Sequence, residues 1–207
     1  MRFLSEMDRH ADQPSGARHR GCKEHSPNSI TLDRHSSFTD LTQRSEQDSY
    51  GSIPGYPVEG AIERNLTQVR NLSPHIPPNV ALGYHFCFGT LGGWPRFQPN
   101  DLSQLVKLAN GFITASGRSV DWIHIPVLDR ADDAFFAPLN ELKPQGARVY
   151  LGAIHNMGRF KERITAARKH LPAFGLGAYC GFGRIPTSQL PNILADHLKA
   201  VELAAPE

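Results

Sequence analysis

Four strand-length apolar runs alternate with amphipathic helical patterns after residue 57, and this alternation constrains the fold more than any other feature. Near-continuous apolar strands separated by helices are typical of parallel β/α architecture. We therefore predict an α/β fold with four parallel β/α units, which is half of a TIM-type (β/α) barrel. The predicted strands are 80–88, 121–127, 148–155 and 174–181, and the predicted helices are 58–72, 101–114, 160–171 and 189–203, with a helical turn within 130–142.

Residues 1–57 have a different texture. They are rich in Ser, Asp, Gln, Arg and His, and their apolar residues follow neither a helical nor a strand period for long. Such a segment cannot bury enough apolar surface to offset the entropy lost on ordering. We predict that residues 1–57 form a disordered or poorly ordered tail and that residues 58–207 form the half-barrel.

Composition excludes several classes of protein. The 22 Lys and Arg against 20 Asp and Glu leave a formal net charge of +2, too little to make nucleic acid or an anionic membrane the main partner. No apolar run approaches the roughly 18 residues of a membrane helix, and the first residues lack the apolar core of a secretory signal. Three scattered cysteines do not make a disulfide framework. We predict a cytoplasmic protein without nucleic-acid or membrane partners.

Polar side chains gather at the predicted strand ends, where parallel barrels place their chemistry. His85 and Cys87 are two residues apart, so an extended strand points both from one face. Cys180, at the end of the last strand, could complete a His, Cys, Cys set with an open position suited to Zn²⁺. The alternative is that the two cysteines are small buried hydrophobes.

Three further polar residues have two interpretations each. His124 is either a functional histidine or one bonded to a neighbouring backbone carbonyl at the edge of the core. His155 is either a general acid or base or an anchor for the loop that follows it. Arg184, in the sequence CGFGR, could bind an anion of the substrate or cap the sheet edge.

Residues 58–204 resemble the last four units of the catalytic barrel of cobalamin-independent methionine synthase, in the superfamily that includes uroporphyrinogen decarboxylase. The resemblance to methionine synthase lies in the H-x-C of His85 and Cys87, in the cysteine of AYCGFG and in the pair Ile154-His155. The sequences LGYHFCFG, VDWIHIPV, FFAPL and CGFGRIP are more similar to a less-characterised branch of such barrels. The resemblance to methionine synthase implies that His85, Cys87 and Cys180 are zinc ligands. It also implies that His155, in an Ile-His pair at a strand end, is the catalytic acid.

The chain departs from that family twice. The family's remaining zinc ligand is a glutamate, and Pro126 stands at its position. The zinc site then has three protein ligands, is rebuilt around His124, two residues earlier on the same face, or is lost. The first half of the barrel is also missing, which suggests a truncated barrel with two unpaired sheet edges. A second copy could pair with these edges in a homodimer, the tail could fold over one of them, or the chain is a barely stable truncated product.

The resemblance implies a zinc-dependent methyltransferase of methionine synthesis, acting on a homocysteine-like thiol with a methyl-folate-like donor. Because the chain would be a fragment of the barrel, we expect its methyltransferase activity to be impaired. The alternative is a non-catalytic barrel remnant or interaction module. A uroporphyrinogen decarboxylase-like lyase ranks third, because the Arg and Asp residues that such enzymes use lie in the missing half.

Overall fold

A computed structural model of the chain describes residues 29–33, 61–90, 94–96 and 98–204. Strands and helices alternate along this part of the chain, as the apolar pattern predicted. The strands are β1 (Ser29–Asp33), β2 (Ala81–His85), β3 (Trp122–Pro126), β4 (Arg148–Ile154) and β5 (Gly175–Ala178); the helices are α1 (Ala61–Leu72), α2 (Ser103–Ala115), α3 (Asp133–Phe136), α4 (Phe160–Arg168) and α5 (Leu190–Ala204).

The strands form one parallel sheet in the order β1-β2-β3-β4-β5. The four predicted strands are present as β2 to β5, so the α/β class and the parallel sheet are confirmed. Sequential parallel order is also the strand order of a β/α barrel, in which crossovers of the usual right hand place successive helices on one face of the sheet. In the part of the chain that the structure describes, β1 and β5 are the two edges, and the sheet does not close.

Strand β1 was not predicted, and it lies within the segment expected to be a disordered tail. Its backbone pairs with β2 over all five residues, from Ser29 beside Ala81 to Asp33 beside His85. The rest of residues 1–57 lies outside the described residues. The sheet therefore has one more strand than the apolar runs indicated.

The core lies between the sheet and its helices. Leu82 and Tyr84 of β2 and Ile123 and Ile125 of β3 are fully buried, and they alternate with residues that point to the opposite face. Tyr84 also contacts the hydroxyl groups of Ser73 and Ser116, at 2.9 and 2.6 Å, so its polar atom is satisfied inside the core.

One interpretation of the helices needs correction. The pattern in 160–171 indicates a helix with Arg and Lys on its outer face, but Arg163 of α4 is fully buried. Its guanidinium donates to the backbone carbonyls of Ala153 and His155, at 2.7 and 2.8 Å, and to Asp129 Oδ1 at 2.5 Å. Arg163 thus ties α4 to the loop after β4 and to the loop after β3. No helix in the described part of the chain combines the length and the apolarity that crossing a membrane requires.

Candidate metal centre

The carboxyl ends of β2 and β5 bring His85, Cys87 and Cys180 together. One ligand atom from each residue lies within 4.8 Å of the others, and within the described residues this is the group of three that could hold a metal ion. Cys87 Sγ lies 3.2 Å from Cys180 Sγ, and Cys180 Sγ lies 3.7 Å from His85 Nε2. The convergence predicted for these three side chains is therefore present.

The distances suit a small tetrahedral ion. With zinc–sulfur bonds of about 2.3 Å and zinc–nitrogen bonds of about 2.0 Å, neighbouring ligand atoms of a tetrahedral site lie about 3.5–3.8 Å apart. The nitrogen–sulfur distance of 3.7 Å already matches, and the sulfur–sulfur distance of 3.2 Å needs only a small opening. One imidazole and two sulfurs form a borderline-soft donor set that selects zinc over magnesium or calcium. The residues present fit the ion.

The local backbone positions Cys87 for this role. Cys87 is buried, and the N–H group of Gly89 donates to its sulfur at 3.2 Å. Gly89 has a φ of 83°, in the left-handed region where glycine is favoured, so the chain turns sharply just after this bond. The bond from Gly89 holds the Cys87 sulfur in place at the end of the strand.

One of the two sulfurs is held as a thiolate. The hydrogen bond from the Cys87 thiol lowers the pKa of Cys180 to about 4, and His85 adds to this effect against the opposing influence of burial. The thiolate is the form of cysteine that binds metals and attacks electrophiles. The site therefore presents a charged sulfur donor at neutral pH.

His124 lies behind His85 rather than among the three ligands. The two residues are partners in the register of β2 and β3, and their Nδ1 atoms lie 2.7 Å apart. His124 also has a hydrogen bond to the backbone of Ala178. Burial, followed by the nearby His85, lowers the pKa of His124 to about 3, so its ring is neutral.

The contact between the two rings orients His85. Its Nδ1 is the atom that meets His124, so Nε2 is the ring nitrogen that faces Cys180. In the metal-bound form, Nε2 would give its lone pair to the ion and the proton would lie on Nδ1, between the two rings.

Pro126, at the position where the sequence resemblance implies a glutamate, is buried in β3 beside Gly152, and its side chain offers no ligand atom. In the described part of the chain the group that could hold an ion therefore has three protein ligands, and His124 is not among them. Three protein ligands with an open fourth position are typical of catalytic rather than structural zinc.

His155 follows β4, close to an aromatic cluster of Phe88, Trp94 and Tyr179. Its Nε2 donates to the carbonyl of Val127 at 2.8 Å, and its ring packs edge-on against Trp94 and Tyr179. Burial, together with the charge of Arg163, lowers the pKa of His155 to about 4, so the ring is neutral at pH 7. The backbone bond matches its interpretation as a loop anchor, and its role as catalytic acid stays a prediction.

Arg184 donates to the hydroxyl of Thr90 at 2.9 Å. It joins the loop after β5 to the loop after β2, and it is exposed. Its predicted role in binding a substrate anion also stays a prediction.

A cavity of about 620 Å³ borders the ligand group, and it was not predicted from the sequence. The sequence features that indicate this cavity are the alternation of Trp122 with His124 on β3 and the isolated glycines of the neighbouring strands. The described residues that line the cavity are His85, Trp122, His124, Tyr150, Leu176, Ala178, Cys180, Gly181, Phe182 and His197.

Neither a protein-family model nor a curated protein matches this chain.

Proposed function

We propose that this chain is part of a (β/α) barrel that binds zinc through His85, Cys87 and Cys180 and transfers a methyl group to a thiol. The observation that supports the proposal best is the convergence of these three side chains within 4.8 Å at the carboxyl end of a parallel sheet. The choice of methyl transfer rests on the resemblance of three strand ends to cobalamin-independent methionine synthase: the H-x-C of His85 and Cys87, the Ile154-His155 pair, and Cys180.

Zinc bound here would supply an open coordination position at which a substrate thiol stays deprotonated at neutral pH. In the transfer, the thiolate sulfur forms a bond to the methyl carbon while the bond between that carbon and the donor breaks. The leaving atom of the donor keeps the electron pair and takes a proton from water. The cavity beside Cys180 gives the thiol a path to the site.

The residues of the chain prepare this site in two ways. Cys180, as a thiolate, offers a negative donor before any substrate arrives. The bond between His124 and His85 fixes the orientation of the imidazole, so the ligand needs no rearrangement on binding.

Metal analysis of the purified protein tests whether the chain binds zinc at this site. We expect one equivalent of zinc per chain, and a cobalt-loaded sample with the sulfur-to-cobalt charge-transfer absorption of thiolate ligands. Cys180→Ser is expected to lose the absorption and most of the metal, whereas Cys22→Ser, at the cysteine outside the predicted site, keeps both. Absence of stoichiometric metal in the wild type would remove the proposal.

Incubation of the zinc-loaded protein with a thiol and a methyl-folate donor tests whether the chain transfers a methyl group. The expected product is the S-methyl thioether, detected by mass spectrometry, and Cys180→Ser should not form it. Bound zinc without any thioether favours the second candidate, a non-catalytic barrel remnant. That candidate draws on the neutral His155, whose Nε2 proton is already donated to Val127.

A further inference from the structure

The cavity next to the ligand group has the size of a small-molecule site. Its volume of about 620 Å³ lies within the range of about 300–1,000 Å³ that is usual for ligand pockets. It shares His85 and Cys180 with the candidate metal centre. A molecule that binds the metal through sulfur would therefore place its remaining atoms in this cavity.

Aromatic rings form the wall of the cavity along the sheet. The ring of Trp122 lies so close over Gly83 that a Cβ atom there would come within 2.0 Å of it. The ring of Tyr150 lies over Gly175 in the same way, with a corresponding distance of 2.4 Å. Each ring lies against the backbone of the neighbouring strand, and both line the cavity. The surface offered to a ligand is flat and apolar.

Charged partners are missing from the described lining. It contains no Asp, Glu, Lys or Arg side chain, and His197 Nδ1 is bonded to the carbonyl of Ile193 at 2.7 Å. His124 is also hydrogen-bonded, to His85 and to the backbone of Ala178. An ammonium or carboxylate group placed here would gain no ion pair from the described lining, whereas an apolar group would remove apolar surface of the two rings from water.

We propose that the cavity receives the body of an uncharged apolar or aromatic thiol, and not that of an amino-acid thiol such as homocysteine. This inference rests on the proposed function, because it takes the sulfur to bind the metal. It goes beyond that function by naming the substrate class, and it departs from the homocysteine-like substrate that the family resemblance implies.

Two thiols that share the unit HS–CH2–CH2–CH test the inference on the cobalt-loaded wild type under anaerobic conditions. In 3-methylbutane-1-thiol, two methyl groups replace the ammonium and carboxylate groups of L-homocysteine. Titration is followed by the change in the charge-transfer absorption. We expect the apolar thiol to bind at least about tenfold more tightly, since each buried methyl group contributes favourably and neither charge is stripped of water. Equal binding, or tighter binding of homocysteine, would overturn the inference.

Variants test whether this cavity is responsible for the preference. Tyr150→Arg places a cation in the apolar wall and is expected to shift the preference towards homocysteine by about tenfold or more, because its carboxylate gains a partner. Phe182→Ser, in the loop after β5, serves as the second variant if the first does not fold, and it should weaken binding of 3-methylbutane-1-thiol. Leu72→Arg adds the same cation at an exposed position of α1, outside the cavity, and should leave the preference as in the wild type.

The results separate this inference from the proposed function. If the protein binds cobalt with thiolate absorption but prefers homocysteine, the metal site is supported and the proposed substrate class is wrong. If the protein binds no metal, the proposed function itself is wrong. A preference for the apolar thiol that neither Tyr150→Arg nor Phe182→Ser changes would place the binding surface elsewhere and overturn the inference.

Discussion

At the residue scale, the contact between His124 and His85 predicts an indirect effect on metal binding. His124→Phe keeps a ring of similar size over the sheet but removes the acceptor for the His85 Nδ1 proton. His85 then no longer has a fixed proton position and ring orientation. We expect the dissociation constant for zinc to rise about 10–100-fold, as found for groups that orient metal-binding histidines. Competition with a chromophoric chelator measures this constant.

The matched control is His75→Phe, an exposed histidine in the short 3₁₀ segment that follows α1. It removes one imidazole and adds the same ring, so its zinc affinity should equal that of the wild type. An unchanged affinity in His124→Phe would mean that the hydrogen bond between the two rings does not position His85.

The buried Arg163 predicts how the stability of the protein depends on pH. Burial is the largest single influence on Asp129 and opposes its ionisation, but the hydrogen bonds from Arg163 and Asn156 and the charges of Arg163 and Arg159 together outweigh it. The pKa of Asp129 therefore lies below its ordinary value of 3.8. A carboxyl group with a lowered folded pKa stabilises the protein fully above its unfolded pKa. This contribution is lost as the pH falls through the folded value.

Urea unfolding at a series of pH values tests this prediction. Between about pH 4.5 and 2.5 the free energy of unfolding of the wild type should fall more steeply than that of Asp129→Asn. Arg163→Met should remove the same extra slope, since the cation that lowers the pKa is then absent. At pH 7, Arg163→Met is expected to cost about 3 kcal/mol, because it leaves three backbone and side-chain acceptors without their donor. If the free energies of unfolding of the wild type and of Asp129→Asn fall with the same slope over this pH range, the prediction is wrong.

Single residues also set the limit of what the sequence could predict about the site. The spacing of His85 and Cys87 is a strand property, so their common direction was predictable. The bond of His124 to His85 depends on the register between β2 and β3, which no local pattern gives. Arg163 looked like a solvated helix residue because its partners are backbone carbonyls of a loop, and these have no signature in the sequence.

At the scale of the strands, the fit of Trp122 over Gly83 predicts a coupled pair of substitutions. A Cβ atom at residue 83 would lie 2.0 Å from the indole ring, so Gly83→Ala forces the ring or the strand to move. We expect it to lower the free energy of unfolding by about 2 kcal/mol, in the range of overpacked positions. In a Trp122→Ala background the same substitution should cost much less. The difference, measured in a double-mutant cycle by urea unfolding, is their coupling.

Gly183→Ala is the control for this prediction. A Cβ atom at residue 183 meets nothing within 4 Å, and the residue does not have a positive φ. The free energy of unfolding of Gly183→Ala should stay within about 0.5 kcal/mol of the wild-type value. Additive effects of Gly83→Ala and Trp122→Ala would show that the ring and the glycine are independent.

The strands and helices were predicted better than their ends. The strand predicted at 80–88 ends at His85, although its apolar continuation through Phe88 is buried and the N–H group of Phe86 still donates to the carbonyl of His124. Hydrophobicity reports burial, whereas a strand also needs a partner with open backbone groups. The last helix was placed within one residue at each end, since helical spacing persists over its full length.

At the scale of the whole molecule, the strand that was missed shows where hydrophobic patterns fail. β1 has the sequence SITLD, with two apolar residues in a polar segment, so its composition favoured disorder. What places it in the sheet is the open edge of β2, five residues of which pair with it. Pairing with an existing edge is a property of the assembled sheet, and composition does not contain it.

This pairing predicts that removal of residues 1–57 destabilises the remaining chain. Without β1, the outer edge of β2 exposes backbone donors and acceptors that the full chain satisfies. We expect the 58–207 fragment to unfold with a free energy about 1–3 kcal/mol lower than the full chain, and to associate as its concentration rises. Urea unfolding and sedimentation velocity measure the two effects. A fragment of residues 28–207, which keeps β1, should behave like the full chain; if 58–207 does so as well, the pairing of β1 with β2 contributes nothing to stability, and the sheet is complete with four strands.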